Sequence, residues 1–131
     1  MLVFKPIVHR GLEEAIREAE ERITALQEGV EADLEWFGRT ASDEMVETHT
    51  FQNRTFRLET SIGYELYRFH QSQVASVEVH ALADYASQVE YGHPGPPPAR
   101  PYPFFWPVFW SRVPLLWDRL KETLDRALGG T

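Results

Sequence analysis

The sequence predicts an α+β fold, with a long N-terminal helix and a C-terminal helix packed on a small antiparallel β-sheet, and a short helix and a Pro/aromatic-rich extended arm between them. Three observations predict it. Apolar residues in the first third recur at a helical period, two central runs are patterned as strands, and seven of the nine prolines crowd between Pro94 and Pro107 beside a dense aromatic group. At 131 residues, with 43% hydrophobic and 25% charged side chains, the chain fits a single domain, 1–131, of ordinary globular composition.

The first element spans 11–48. Leu12, Ile16, Ala19, Ile23, Leu26, Val30, Leu34, Phe37, Ala41 and Met45 follow one another about 3.7 residues apart, which lays them on one helical stripe. Glu13 with Arg17, Glu18 with Arg22 and Glu35 with Arg39 place an acid four residues before a base, the favourable order for surface pairs. Gly29 and Gly38 interrupt the stripe, and each costs about 1 kcal/mol relative to alanine, so a bend at either is expected. Unbroken, the helix would reach about 57 Å, against a radius of gyration of about 14 Å for a compact chain of this length. Such a helix outruns its own globule. Either it folds back at a glycine or it buries part of its stripe against another subunit.

His49 to Thr60 reads as a loop anchored by Phe51 and Phe56. A hairpin over 61–82 follows. Ser61 to His70 is aromatic-rich, Val74 to Leu82 alternates Val77, Val79 and Ala81 against Ser76, Glu78 and His80, and Gln71 to Gln73 connect them. A short helix over 84–92 starts behind Asp84 as N-cap, uses Tyr85, Ala86 and Val89, and stops at Gly92. Proline then dictates extended backbone over 93–108. The last helix, 109–128, carries Leu116, Leu120, Leu124 and Ala127 on one face, with Gly129 and Gly130 as its stop.

Composition closes several chemistries. The absence of cysteine removes disulfides, thiolate zinc sites and cysteine nucleophiles. A formal charge of -7 argues against a surface that grips phosphates, although an acidic lining would let a duplex slide past without sticking. The opening apolar run is too short, and broken too early by Pro6, to be a signal peptide or a spanning segment, so a cytosolic product with no membrane partner is expected. Eleven arginines against two lysines, with a single asparagine, fit either a hot habitat or a GC-rich genome.

Catalytic signals are weak. None of the five histidines forms the i, i+4 pair of a zinc-binding helix, and the nearest approach to a metal site is Glu78 and His80 facing His70 across the hairpin. The letters are equally those of a hairpin's wet face, so no metal, no cofactor and no catalytic residue is assigned. The carboxylates lie mostly on the solvent face of the first helix beside their arginines, and no pair is singled out for acid-base work. The aromatic arm reads as a strap that covers the sheet, as a partner surface, or as both with alternate side chains turned in and out.

Two motifs then resemble the minor tail-component family of long-tailed bacteriophages, whose members sit in the neck, at the head-tail junction. The family's Thr-Gly-Arg-Leu-x-x-Ser-Ile segment is similar to Thr55-Phe56-Arg57-Leu58-Glu59-Thr60-Ser61-Ile62, with Phe56 in place of glycine. Its Tyr-Ala-x-x-Val-Glu-Tyr/Phe-Gly element matches Tyr85-Ala86-Ser87-Gln88-Val89-Glu90-Tyr91-Gly92, and Ala99-Arg100-Pro101-Tyr102 then leads into the run holding Phe104, Trp106 and Pro107. The usual Arg-Pro-Phe is Arg-Pro-Tyr here, and a proline-aromatic pair is inserted before Pro107.

The resemblance implies a non-catalytic subunit of a homo-oligomeric ring of six copies, with twelve the alternative, for neck assembly, tail completion or tail termination. It would be assembled in the host cytoplasm, located in the virion at the neck or top of the tail, in contact with connector or stopper and tail-tube proteins, with DNA as passing cargo. Arg100, a fork-shaped donor, would hold a carboxylate, with Glu90 of the same subunit or of the next the candidate. Two other classes stay open: a peptide- or protein-binding module that uses the aromatic arm, and a small metal-dependent hydrolase.

Overall fold

The computed structural model describes residues 5–48, 57–69, 74–92, 94, 95, 98 and 100–129, with the side chains of 5–10, 48 and 57 left aside. The order is α1 (Lys5–Thr48), α2 (Arg57–Ser61), β1 (Ile62–Tyr67), β2 (Ser76–Ala81), α3 (Ala86–Tyr91) and α4 (Trp106–Gly129). It is the expected α+β arrangement, two long helices on a two-stranded antiparallel sheet with a short helix beside it.

The apolar stripe of α1 is real, but it meets two environments. Phe37, Ala41 and Met45 are buried, whereas Leu12, Ile16 and Ile23 are 56%, 49% and 56% exposed. Every residue from Gly11 to Ala25 is exposed, a stretch of about 22 Å at 1.5 Å per residue. The helix is assigned without interruption through Gly29 and Gly38, so neither glycine breaks it. Both serve close packing instead. A Cβ at Gly29 would run into Cγ2 of Thr123 on α4, and one at Gly38 would lie 2.6 Å from Tyr64 Cδ2 and 2.8 Å from Val77 Cγ2 on the sheet.

Helix α4 runs antiparallel to α1. Gly29 meets Thr123 near the C-terminal end of α4, while Phe37 meets Phe109 near its start, the two rings edge to face at 5.3 Å. Between them lies a polar seam. Asp33, buried, accepts a hydrogen bond from the Thr123 hydroxyl and has Arg119 Nε 3.5 Å from its other oxygen. The Arg119 guanidinium stands 4.5 Å from the centre of the Trp36 ring. Arg112 Nε donates to Glu44 at 2.7 Å.

The hairpin keeps its predicted alternation. Ile62, Tyr64 and Leu66 pair with Ala81, Val79 and Val77 on the face that meets α1; Gly63, Glu65 and Tyr67 pair with His80, Glu78 and Ser76 on the other. The connection at 71–73, the anchors Phe51 and Phe56, and His70 lie outside the described residues.

Four boundaries differ from expectation. Residues 57–61, read as the end of a loop and the first strand residue, form a helical turn that drives Leu58 into the core, and Ser61 Oγ closes it on the Leu58 carbonyl at 2.7 Å. Helix α3 has Tyr85, not Asp84, at its N-cap and no side-chain cap there; a turn closed by Ala86 N–H on the Ala83 carbonyl feeds into it. Helix α4 begins at Trp106 rather than 109, because a proline in the first turn gives up only a donor that has no helical acceptor. It also continues through Pro114, which is exposed. On its inner face Val108 and Thr123 are buried, Leu116, Leu120 and Ala127 are half-buried, and Leu124 has swung to the exposed flank.

Candidate assembly site

The motif residues converge where α3, the arm and the start of α4 meet. Helix α3 is held against the core by Ala86, with Tyr85 and Val89 packed beside it, and its fifth residue, Glu90, is thereby turned inward and buried to 7% exposure. Gly92, at φ 73°, takes a backbone conformation that favours glycine, ending α3 and turning the chain into the arm. The arm returns to α3 at once: Tyr102 N–H donates to the Val89 carbonyl at 2.7 Å.

Glu90 then closes the assembly. Its Oε1 accepts the N–H groups of Phe104 and Phe105, both at 2.8 Å, and its Oε2 accepts that of Trp106 at 3.3 Å. These are amides at and just before the first turn of α4, which no helical carbonyl can serve. Phe105, at the N-cap position, has no side-chain oxygen to offer. A carboxylate from a neighbouring helix takes that role, with the helix dipole favouring its charge. Glu90 is therefore a remote cap, and a Glu90 to Arg100 pair within the subunit is absent. Arg100 is exposed and makes no ion pair among the described residues.

Around the cap the aromatics alternate as a strap with two sides. Phe104 is buried in the core, and Phe105 and Phe109 stack at 6.2 Å. Trp106 stacks on Trp110 at 6.2 Å and donates its indole N–H to the Tyr91 hydroxyl. Pro101, Tyr102, Trp106 and Pro107 are exposed. An open, apolar notch of about 170 Å³ lies between α3 and this strap, floored by Ala86 and Phe104.

The motif residues thus divide. Leu58, Ile62, Tyr85, Val89, Glu90 and Phe104 build the domain, Ser61 and Gly92 shape turns, and Arg100, Pro101, Tyr102, Trp106 and Pro107 face outward. The side chain of Arg57 lies outside the described residues. The sequence reading missed the Asp33–Thr123–Arg119 seam and the backbone amides that Glu90 serves. The usable signal for the latter was a helix start lacking any Ser, Thr, Asp or Asn.

The wet face of the hairpin carries charge without forming a centre. Glu65 and Glu78 stand directly opposite each other. Tyr67 donates to Glu65 at 3.0 Å, and this bond, reinforced by the Glu65 and Glu78 charges, holds its hydroxyl above its ordinary pKa. His80 lies over Gly63 with its Nδ1 buried and without a hydrogen bond. Among the described residues no three His, Asp or Glu side chains cluster closely enough to hold a metal ion. At the turn end of the hairpin, Glu31 of α1 accepts Phe69 N–H and Arg68 Nη1, each at 3.0 Å, and the amide above all lowers its pKa.

No family model matches this chain, and neither does any curated protein or solved structure. Among the described residues no helix is long and apolar enough to cross a membrane.

Proposed function

We propose that this chain is a non-catalytic structural subunit of a ring at a phage head-tail junction, in the neck or at the top of the tail, where it joins the capsid connector to the tail tube and lets DNA pass. The observation that carries the subunit reading is the split stripe of α1. One continuous helix buries its apolar row in the core at one end and holds it in solvent over about 22 Å at the other. A domain that leaves such a row bare is completed by another chain.

The resemblance at Tyr85–Gly92 and Arg100–Tyr102 supplies the kind of assembly. Its inward residues tie α3 to the arm, and the exposed Arg100 and Tyr102, with Trp106 beyond them, are the side chains this reading assigns to contacts with neighbouring rings. A net charge of -7 suits a channel through which DNA moves without being held. Light scattering with negative-stain imaging tests the reading: rings of six or twelve copies with a central hole are expected, and a monomer at every concentration would overturn it.

A second reading, a peptide-binding module, is favoured by the apolar notch beside exposed Trp106. It expects a monomer whose tryptophan fluorescence saturates on peptide titration.

A further inference from the structure

Helix α4 is anchored unevenly. Its start is tied down by the amides that Glu90 accepts, by buried Phe104 and Val108, and by Phe109 against Phe37. Pro114 then stands inside the helix. A proline there offers no N–H to the carbonyl four residues back, that of Trp110, and its ring crowds that carbonyl. One rung of the helix is missing, and bending is easiest at this point. Beyond it, over 115–129, apolar anchorage is thin: Leu116, Leu120 and Ala127 are half-buried, while Leu115, Trp117, Leu124 and Leu128 are exposed.

What holds this second half on α1 is polar. Thr123 is buried, with its Cγ2 against Gly29 and its hydroxyl donating to buried Asp33. Its methyl needs the space of a glycine and its hydroxyl an acceptor one turn further on, which Gly29 and Asp33 supply together. One turn back along α4, Arg119 Nε faces the other Asp33 oxygen at 3.5 Å, buried and without a hydrogen bond. An ion pair bonded so incompletely recovers little of what burying Asp33 costs, so the group contributes placement more than stability.

We propose that Asp33, Thr123 and Arg119 form a latch and Pro114 the hinge it works against: the half of α4 beyond Pro114 is placed on α1 by this latch and, when the latch opens, swings away as a unit and bares α1 around Gly29. Trp36 sits astride the joint. The centre of its ring is 5.9 Å from the Arg112 guanidinium, before the hinge, and 4.5 Å from that of Arg119, beyond it. Arg112 is held separately, by its bond to Glu44 at 2.7 Å. Opening breaks the Arg119 contact and spares the Arg112 one.

Amide hydrogen exchange of the full chain, read by mass spectrometry, tests latch and hinge together. Thr123→Val keeps the side chain's shape and its fit to Gly29 but removes the donor. Amides of 116–128 should then exchange about tenfold faster or more, while those of 109–113 keep the parental rate and the far-UV spectrum is unchanged. Asp33→Asn, which leaves Thr123 an acceptor but takes the charge from Arg119, should give a smaller rise over the same residues, and it carries the test if Thr123→Val fails to fold. Adding Pro114→Ala to Thr123→Val restores the missing rung and should reduce the rise over 116–128. Parental exchange over 116–128 in both single variants would overturn the latch. An equal rise over 109–113, or a rise that Pro114→Ala leaves as it was, would overturn the hinge.

Discussion

Replacing Glu90 tests the strap at its centre. In Glu90→Ala three amides at the start of α4 lose their acceptor in a site where the carboxylate itself is 7% exposed. A hydrogen bond to a charged group contributes about 1.5–3 kcal/mol and a lost cap costs about 0.5–2 kcal/mol. The three bonds share one side chain and do not add fully, so the expected loss is about 3–5 kcal/mol. Glu90→Gln keeps the shape and one acceptor for Phe104 and Phe105, but sets an amide NH₂ against Trp106 N–H. About 2 kcal/mol is expected for it, a fall in Tm of roughly 6–10 °C for a domain of this size.

Urea denaturation of parent, Gln and Ala forms measures the losses, and near-UV dichroism reports the order of the Trp106 and Trp110 rings. The expected ranking is parent, then Gln, then Ala, with the near-UV signal reduced in Ala. If both variants lie within about 0.5 kcal/mol of the parent, the range typical of neutral surface changes, Glu90 does not hold the strap and the capping account is wrong.

Arg100→Ala, at an exposed side chain with no ion pair among the described residues, should leave Tm within the error of measurement and weaken ring assembly; unchanged sedimentation with a lowered Tm would refute it. Gly38→Ala should destabilise by about 1–2 kcal/mol in urea, because the overpacking of a Cβ against Tyr64 and Val77 outweighs a helix-propensity gain of about 1 kcal/mol. A stabilised variant would show that helix and sheet do not need this approach. Glu31 has a folded pKa below its ordinary 4.5, so the stability it adds is present above that value and lost as pH falls through the folded one. Glu31→Gln should therefore be less stable than the parent at pH 7, and the gap should narrow toward pH 3; a gap independent of pH would contradict the assignment.

Much of the fold was legible because it rests on periodicity. The α1 row, the alternation of Val77 and Val79, and the stop at Gly92 each follow from local backbone geometry. Glycines 29 and 38 were legible as exceptions but not as contacts, since the side chains they admit, Thr123, Tyr64 and Val77, are between 26 and 94 residues away in sequence. The start of α4 was hidden by Pro107, whose letter argues for extended chain yet fits a first helical turn. Pro114 persists in mid-helix because packing along Val108, Leu116 and Thr123 outweighs local preference.

The site was half legible. Glu90 stood out, but charge logic gave it the nearest arginine, whereas its partners are backbone amides that every residue possesses. The α2 turn was missed because five residues are too few to show a period, and Leu58 declares its core position only through tertiary packing.

The central claim, that the bare half of α1 exists to be covered by another copy, is tested most directly by mass. Light scattering on the parent and on an Ile16→Glu, Ile23→Glu variant should give six or twelve times the 15.2 kDa chain for the first and a folded monomer of unchanged helicity for the second. A parent that stays monomeric, or a variant that assembles as the parent does, would contradict it.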